Sequence, residues 1–250
     1  MKRREARNFY LYTAPWLIGF FVLTLYPIVY SFYLMFTDMN LTGVGKFIGL
    51  ENLKYAFTDD PLFIKAFINT LKYVVMFVPS SIILAFFVAL LLSKKVKGLG
   101  FFRTAFYIPY ITSGVAVTIL WGWIYQKDYG IINYVLSLFG IKGVNWLGDK
   151  NIAMISIVIL SLWTIGNNII IMLAGIQDIP QSYYESAQID GAGAIRQIFS
   201  ITLPLCTPTI YFNLIVTIIA AFQVFQQPLI LTNGGPLNSC LLYTSPSPRD

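Results

Sequence analysis

The chain has 250 residues, of which 57% are hydrophobic and only 11% are charged, and its formal net charge is +6. Soluble globular proteins carry roughly 25% charged residues, so this composition excludes an ordinary soluble domain and indicates a protein that is surrounded by lipid. The chain contains no histidine, which removes the commonest general base and metal ligand and excludes a Ser/His/Asp catalytic site.

Five segments are long and apolar enough to cross a membrane, which takes roughly 20 residues. Each must be helical, because backbone groups in lipid have no water to bond. The first segment is too long for a cleavable signal, whose apolar region covers about 7–15 residues, and it contains Pro15 and Pro27 as expected kinks. The predicted spans are about 11–36, 73–92, 104–125, 152–174 and 208–231. The predicted fold is therefore all-α and integral to the membrane, a polytopic helical bundle with five spans.

The distribution of lysine and arginine predicts the orientation. Residues 1–8 and 94–103 hold eight basic residues in 18 positions, whereas the loops at about 37–72 and 126–150 hold seven, together with six acids. Dense basic clusters remain on the cytoplasmic side. We therefore expect a cytoplasmic N-terminus, and a cytoplasmic loop between the fourth and fifth spans.

That loop, at residues 179–204, is the most informative stretch of the chain. Pro180 bars a continuous helix from the fourth span, and Ser182-x-x-Glu185 is a capping-box pattern, which predicts a helix start at Ser182. Gly191 can adopt the left-handed conformation that ends a helix. The pattern predicts a helix of about two turns on the inner face of the membrane.

Such a helix, over residues 183–190, has too little apolar surface to be stable alone. Its small residues, Ser186 and Ala187, leave room for the close approach of another protein. Docking into a groove on a partner and a plain connector between spans are both consistent with these residues. A second helical stretch is predicted over 192–202.

The chain ends in a segment that differs from the rest. Residues 239–250 read SCLLYTSPSPRD, which cannot form a span. We expect residues 1–238 to form the membrane domain, residues 239–250 to be non-native junction sequence, and a sixth span to be missing. A genuine short outer tail is the alternative.

Residues 185–208 carry a pattern that resembles a known family. The run Glu185-x-Ala187-x-x-Asp190-Gly191-Ala192, followed by Phe199-x-Ile201-x-Leu203-Pro204-x-x-x-Pro208, resembles the EAA signature of permease subunits in binding-protein-dependent ATP-binding-cassette importers. Ser186 stands where the family usually has alanine, and it is small enough to keep the same role. Shorter motifs resemble the sugar branch of the family, of the maltose and glycerol-phosphate type; these are Tyr26-Pro27-Ile28, Asn69-Thr70-Leu71, Phe102-Arg103, Tyr107-Ile108-Pro109 and Leu231–Pro236.

The resemblance implies the permease fold of a type I importer and a place in a bacterial inner membrane. It implies that the chain forms the path for a carbohydrate or related small solute. The implied partners are ATP-binding-cassette ATPase subunits, a second and different permease subunit, an extracytoplasmic solute-binding protein and membrane lipid, with no nucleic acid and no cofactor. The chain itself lacks a G-x-x-x-x-G-K-[ST] loop, so ATP hydrolysis is expected in a separate subunit.

The resemblance also implies that the two-turn helix enters a groove of the ATPase. Glu185 is expected to cap its own helix, or alternatively to pair with a basic residue of the partner. The residues expected to couple to the ATPase are Glu185, Ser186, Ala187, Gln188, Asp190, Gly191 and Ala192.

Polar side chains within spans tend to face a cavity or another helix, and aromatic ones could stack on a sugar ring. Hydrogen bonding or packing between helices is the alternative for each. The candidate residues of the substrate pathway are Asn167, Asn168, Phe222, Gln223, Phe225 and Gln226.

Three other functions remain open from the sequence. A secondary transporter or channel is disfavoured because no span carries a clear internal charge, which an ion path usually needs. A membrane-embedded enzyme would need paired carboxylates or a nucleophile within a span. A permease of the same family for a non-sugar solute is disfavoured only by the short motifs. The two cysteines, Cys206 and Cys240, have neither disulfide nor metal-site spacing.

Overall fold

The computed structural model describes residues 2–38, 45–94, 98–236 and 239–240. Contacts divide the chain into two compact units, Met1–Ile64 and Lys65–Asp250. The elements assigned before position 61 are α1 (Lys2–Gly19), a first π turn (Phe20–Leu25), α2 (Tyr26–Met35), β1 (Thr37–Asp38), β2 (Lys46–Phe47) and α3 (Glu51–Thr58). The following elements are α4 (Pro61–Ser93), α5 (Leu99–Ile111), α6 (Gly114–Ile124), α7 (Ile131–Leu138), α8 (Ala153–Trp163), α9 (Gly166–Gln177), α10 (Gln181–Ile189), α11 (Ala194–Gln197), a second π turn (Ile198–Thr202), α12 (Leu203–Leu205), α13 (Thr207–Phe222) and α14 (Gln226–Thr232). Most of the predicted tail, residues 241–250, lies outside the described residues, as do Lys95 and Lys97 of the predicted inner cluster.

The first unit is built on one long apolar helix. Its stretch Asn8–Met35 runs for 28 residues and is long and apolar enough to cross a membrane. The first π turn ends two residues before Pro27. Because proline lacks an N–H and crowds the preceding turn, the wider π turn accommodates Pro27 within the helix. A short antiparallel pairing of β1 with β2 follows, and the Asn52 side chain donates to the carbonyl of Met35 at 3.1 Å.

The second unit contains broken helices. Helix α4 is long enough to cross a membrane by itself, whereas three further candidate spans are bent pairs of helices. The bends are 98° between α5 and α6, 52° between α8 and α9, and 66° between the helical stretch Ala194–Leu205 and α13. The described residues thus offer up to five spans, and the all-α polytopic fold is confirmed.

Three of the predicted spans are interrupted in the structure, and the one at 152–174 is divided into α8 and α9. The predicted span at 208–231 is two helices, because α13 ends at Phe222 and α14 begins at Gln226. Pro228 lacks the N–H that would bond the carbonyl of Val224 in a continuous helix, and instead lies in the first turn of α14, where proline is tolerated. In the predicted span at 104–125, Thr112 has an extended backbone (ψ 146°) that ends α5.

Small residues permit the close packing of α9 against α5 and α13, as is common between helices in lipid. A Cβ atom at Gly166 would overlap the main-chain carbonyl oxygen of Phe106 in α5, and one at Gly175 would overlap the side chain of Thr209 in α13. Helix α14 packs against α6 and α8. Between α4 and α8, the Tyr73 hydroxyl donates to Ser161 Oγ at 2.9 Å. Close contacts at glycines and buried hydrogen bonds therefore both hold neighbouring helices in position.

Candidate coupling helix and substrate path

Helix α10 is the two-turn helix predicted from the sequence, but it begins differently. Its first residue is Gln181, Pro180 is the residue at the cap position, and no side chain caps its N-terminus. The prediction that Ser182 starts the helix and that Glu185 reaches back to it is therefore wrong. The fixed φ of Pro180 and its extended ψ of 132° turn the chain into the helix one residue earlier, so that Ser182 lies inside the first turn.

The C-terminus of α10 ends as predicted. Gly191 adopts a φ of +75°, its N–H donates to the carbonyl of Gln188 at 3.0 Å, and the N–H of Ala192 donates to the carbonyl of Ala187 at 2.8 Å. This pair of bonds satisfies carbonyls that the helix end would leave open, and it requires the left-handed glycine. The predicted glycine stop is confirmed.

Three contacts attach α10 to the helices on either side of it. The Tyr184 hydroxyl is hydrogen-bonded to Thr202 Oγ1 at 3.0 Å, which joins α10 to the second π turn. Ile179, just before α10, is buried in the same core cluster as Met172 of α9. The Gln197 amide donates to the carbonyl of Ala192 at 2.9 Å, so the turn after α10 is also held.

The predicted coupling residues do not all lie on one surface. Four of them are exposed and lie outside the cavity that Gln188 lines; these are Glu185, Ser186, Asp190 and Gly191. Ala187 and Ala192 are half-buried. Gln188 lines a cavity of about 530 Å³, together with Gln181 and Tyr184.

The sequence analysis missed the apolar part of this surface. Ile189 is 87% exposed and Tyr183 is 53% exposed, although apolar side chains on an aqueous face gain free energy from being covered. Ile189 follows Glu185 by four residues, so the two share one face of α10. An isoleucine on the same helical face as exposed polar residues is the sequence signal that could have identified this apolar surface.

Most candidates for the substrate path lie at a break between helices. Phe222 ends α13, Gln223 follows it, Phe225 precedes α14, and Gln226 is the first residue of α14. The Gln226 side-chain oxygen lies against Gly114, the first residue of α6. The structure thereby brings the break after α13 to the sharp bend between α5 and α6.

The two asparagines lie elsewhere, at the start of α9. The Asn168 amide donates to Thr217 Oγ1 on α13 at 2.9 Å, which is the bond between helices that was the alternative reading for this residue. Asn167 is half-buried. Within the described part of the chain, neither asparagine is hydrogen-bonded to Gln226.

Asn213 is a further polar residue that the sequence analysis missed. It is fully buried on α13, one turn from Thr217 and one turn from Thr209, so the three share a helix face. Within the described residues, neither its Oδ1 nor its Nδ2 has a hydrogen-bond partner. A buried amide without partners is costly, and its position in the middle of an apolar segment could have drawn attention to it.

Comparison with known proteins gives one consistent result. Residues 61–245 match the family described as "Binding-protein-dependent transport system inner membrane component". The chain is 39% identical over 246 residues to the probable ABC transporter permease protein YesP of Bacillus subtilis, covering 97% of this chain and 79% of that protein.

Two further relatives and one solved structure have more informative names. The arabinooligosaccharides transport system permease protein AraP of Bacillus subtilis is 35% identical, covering 92% of this chain and 74% of that protein. The trehalose/maltose transport system permease protein MalF of Thermococcus litoralis is 34% identical, covering 94% and 80%. A chain in the crystal structure of a bacterial alginate ABC transporter, in complex with an alginate pentasaccharide-bound periplasmic protein, is similar with a TM-score of 0.75 and 25% identity, covering 98% and 82%.

Proposed function

Since the chain belongs to the family of binding-protein-dependent transport system inner membrane components, we propose that α10 is the helix through which an ATPase subunit drives it. The chain is a multi-pass membrane subunit of an ATP-driven importer for carbohydrates or related solutes. Its partners are ATPase subunits, in which ATP is hydrolysed, a second permease and an extracytoplasmic binding protein. It is therefore a transport subunit and not an enzyme.

The surface of α10 supports the coupling role most directly. A rigid helix, bounded by Pro180 and Gly191 and carrying exposed Ile189 and Tyr183, presents apolar surface that a partner would cover. Burial of one isoleucine side chain contributes about 1.5–3 kcal/mol. Glu185 and Asp190 at its rim are free to meet basic groups of the partner, since Glu185 does not cap its own helix.

The contacts that attach α10 to its neighbouring helices could transmit the proposed movement. Closure of the ATPase dimer would displace α10 as a rigid body. The bond between Tyr184 and Thr202 and the packing of Ile179 would carry that displacement into the stretch Ala194–Leu205 and into α9. These two elements adjoin α13, whose far end precedes the break at Gln223, so the movement would reach the proposed substrate path.

We further propose that solute passes the helix breaks near Gln226 and Gly114. Backbone groups at a broken helix lack internal partners and can bind polar ligands, which is why transporter sites often use discontinuous helices. Phe222 and Phe225 flank this break and offer apolar faces to a sugar ring. Asn168 is proposed to act as a structural link between α9 and α13 and not as a direct ligand.

One experiment tests the docking surface. Ile189→Ser removes the exposed apolar group of α10, and Ile141→Ser is the matched control, since Ile141 is 52% exposed in a loop expected on the other face. Loss of a buried isoleucine weakens binding by about tenfold or more. Co-purification of the ATPase with the permease should fall in Ile189→Ser alone, and retention equal to the control would contradict the proposal.

A second experiment tests the proposed orientation, in which the N-terminus and α10 lie on the cytoplasmic side of the membrane. In a background without Cys206 and Cys240, single cysteines are placed at the exposed positions Ser186 and Tyr129 and labelled with a membrane-impermeant maleimide. Ser186→Cys should react only after the cells are opened, whereas Tyr129→Cys should react in intact cells. Labelling of Ser186→Cys from outside would overturn the coupling role entirely.

A further inference from the structure

A second cleft lies between α4 and the start of α8, away from α10 and from the breaks at Gln226. Its volume is about 590 Å³. Its polar lining includes Lys72, Lys150 and Asn151, and it is also lined by Ser239 and by Ile68, Asn69 and Leu71, which precede Lys72 along α4. One turn further along, the lining is apolar and consists of Val75, Met76, Met154 and Ile155.

The charged part of this cleft is cationic. None of its lining residues is acidic, and both Lys72 and Lys150 are exposed. Within the described part of the chain, neither ammonium group forms an ion pair with a carboxylate. The acid nearest in sequence, Asp149, instead accepts the N–H of Asn151 at 2.8 Å. Two unpaired cations at the rim favour an anionic ligand.

The position of Lys72 along α4 places this rim at headgroup level. Helix α4 has 33 residues and is about 50 Å long, whereas about 20 residues cross the hydrocarbon core. Counting about 20 residues back from Ser93, where α4 ends, leads to position 74. Lys72 therefore lies just outside the hydrocarbon core, and Lys150 lies three positions before α8 begins at Ala153.

We propose that this cleft binds an anionic phospholipid, whose phosphate lies between Lys72 and Lys150 and whose acyl chain covers Val75, Met76 and Ile155. Interfacial lysines attract anionic headgroups, and the apolar half of the cleft matches a hydrocarbon chain. A soluble anion would leave that half uncovered, and a sugar would find no hydrogen-bonding partner there. The bound lipid would link α4 to α8 at the membrane surface opposite α10. This inference goes beyond the proposed function and does not depend on the coupling role of α10.

The test uses the intact transporter complex, purified in detergent and analysed by native mass spectrometry with dioleoylphosphatidylglycerol and dioleoylphosphatidylcholine. The wild type should retain phosphatidylglycerol in preference to phosphatidylcholine. Lys72→Gln combined with Lys150→Gln should lower that preference about tenfold to thirtyfold, the factor expected for two interfacial lysines. Lys127→Gln combined with Lys142→Gln removes the same charge from exposed loop positions and should leave the preference unchanged.

A second variant addresses the apolar half. Ile155→Trp fills the cleft but keeps both lysines, and it should lower lipid retention by blocking the acyl chain. Equal preference in the lysine variant and the wild type would overturn the proposal. Displacement of the lipid by inorganic phosphate or by glycerol phosphate alone would show a soluble-anion site and would equally overturn it. Loss of solute-binding-protein association with lipid retention unchanged would identify a protein docking surface instead.

Discussion

The conformation of the turn after α10 predicts the effect of replacing Gly191. Its φ of +75° lies in the left-handed region, and the two hydrogen bonds that end α10 depend on that conformation. Gly191→Ala introduces a side chain there without a steric clash, because nothing lies within 4 Å of the added Cβ. The substitution therefore perturbs the backbone conformation and nothing else.

The size of the effect follows from that conformation. An L-residue in the left-handed region costs about 1–2 kcal/mol. This corresponds to about a fivefold to thirtyfold shift in the equilibrium between the ordered turn and a frayed end of α10, in favour of the frayed end. Gly193→Ala is the matched control, since Gly193 has a φ of −67° and an extended ψ and also has open space around its Cβ position.

The assay is ATP hydrolysis by the reconstituted transporter, with and without substrate-loaded binding protein. A frayed α10 transmits less movement, so Gly191→Ala should reduce the stimulation by loaded binding protein, while the basal rate of the ATPase subunit is retained. The cysteine at Ser186→Cys, labelled in inside-out vesicles, should be protected less by the ATPase in the Gly191→Ala background. Gly193→Ala should match the wild type in both measurements.

Equal stimulation in Gly191→Ala, Gly193→Ala and the wild type would refute the reasoning, because the turn would then have no part in coupling. If both variants lost stimulation equally, the left-handed conformation would not be the cause, and an effect of added bulk at the ATPase surface would replace it.

Three further predictions concern packing and buried polar groups. Gly166→Ala should lower the melting temperature of the complex, because its Cβ would overlap a main-chain carbonyl of α5, whereas Gly100→Ala, with open space in α5, should not. Asn213→Leu should raise the melting temperature by removing two unpartnered buried groups, each costing about 1–3 kcal/mol; a fall would indicate that the amide is satisfied in the assembled transporter. Tyr184→Phe and Thr202→Val should show a coupling energy of about 1 kcal/mol in a double-mutant cycle, and additive effects would exclude the hydrogen bond as the link.

Part of the candidate site could be predicted from local sequence. The glycine stop at Gly191 was predicted correctly, because a left-handed end favours glycine whatever surrounds it. The start of α10 was predicted incorrectly, because a capping-box pattern and a preceding proline compete within three residues, and the backbone at Pro180 determined the outcome. The alternatives for Asn168 could not be separated until its partner, Thr217, was known.

The sequence by itself determined the class of the protein and the approximate places of its apolar segments. These follow from the free energy of moving side chains into lipid, which each segment carries independently of the others. It also predicted which residues form the proposed coupling segment, because these residues are adjacent in the chain. The tertiary structure alone decided that Gln226 meets Gly114, that Gly166 meets α5 and that Tyr184 meets Thr202. These contacts join residues far apart in the chain, and their geometry depends on how the helices pack, which no local pattern contains.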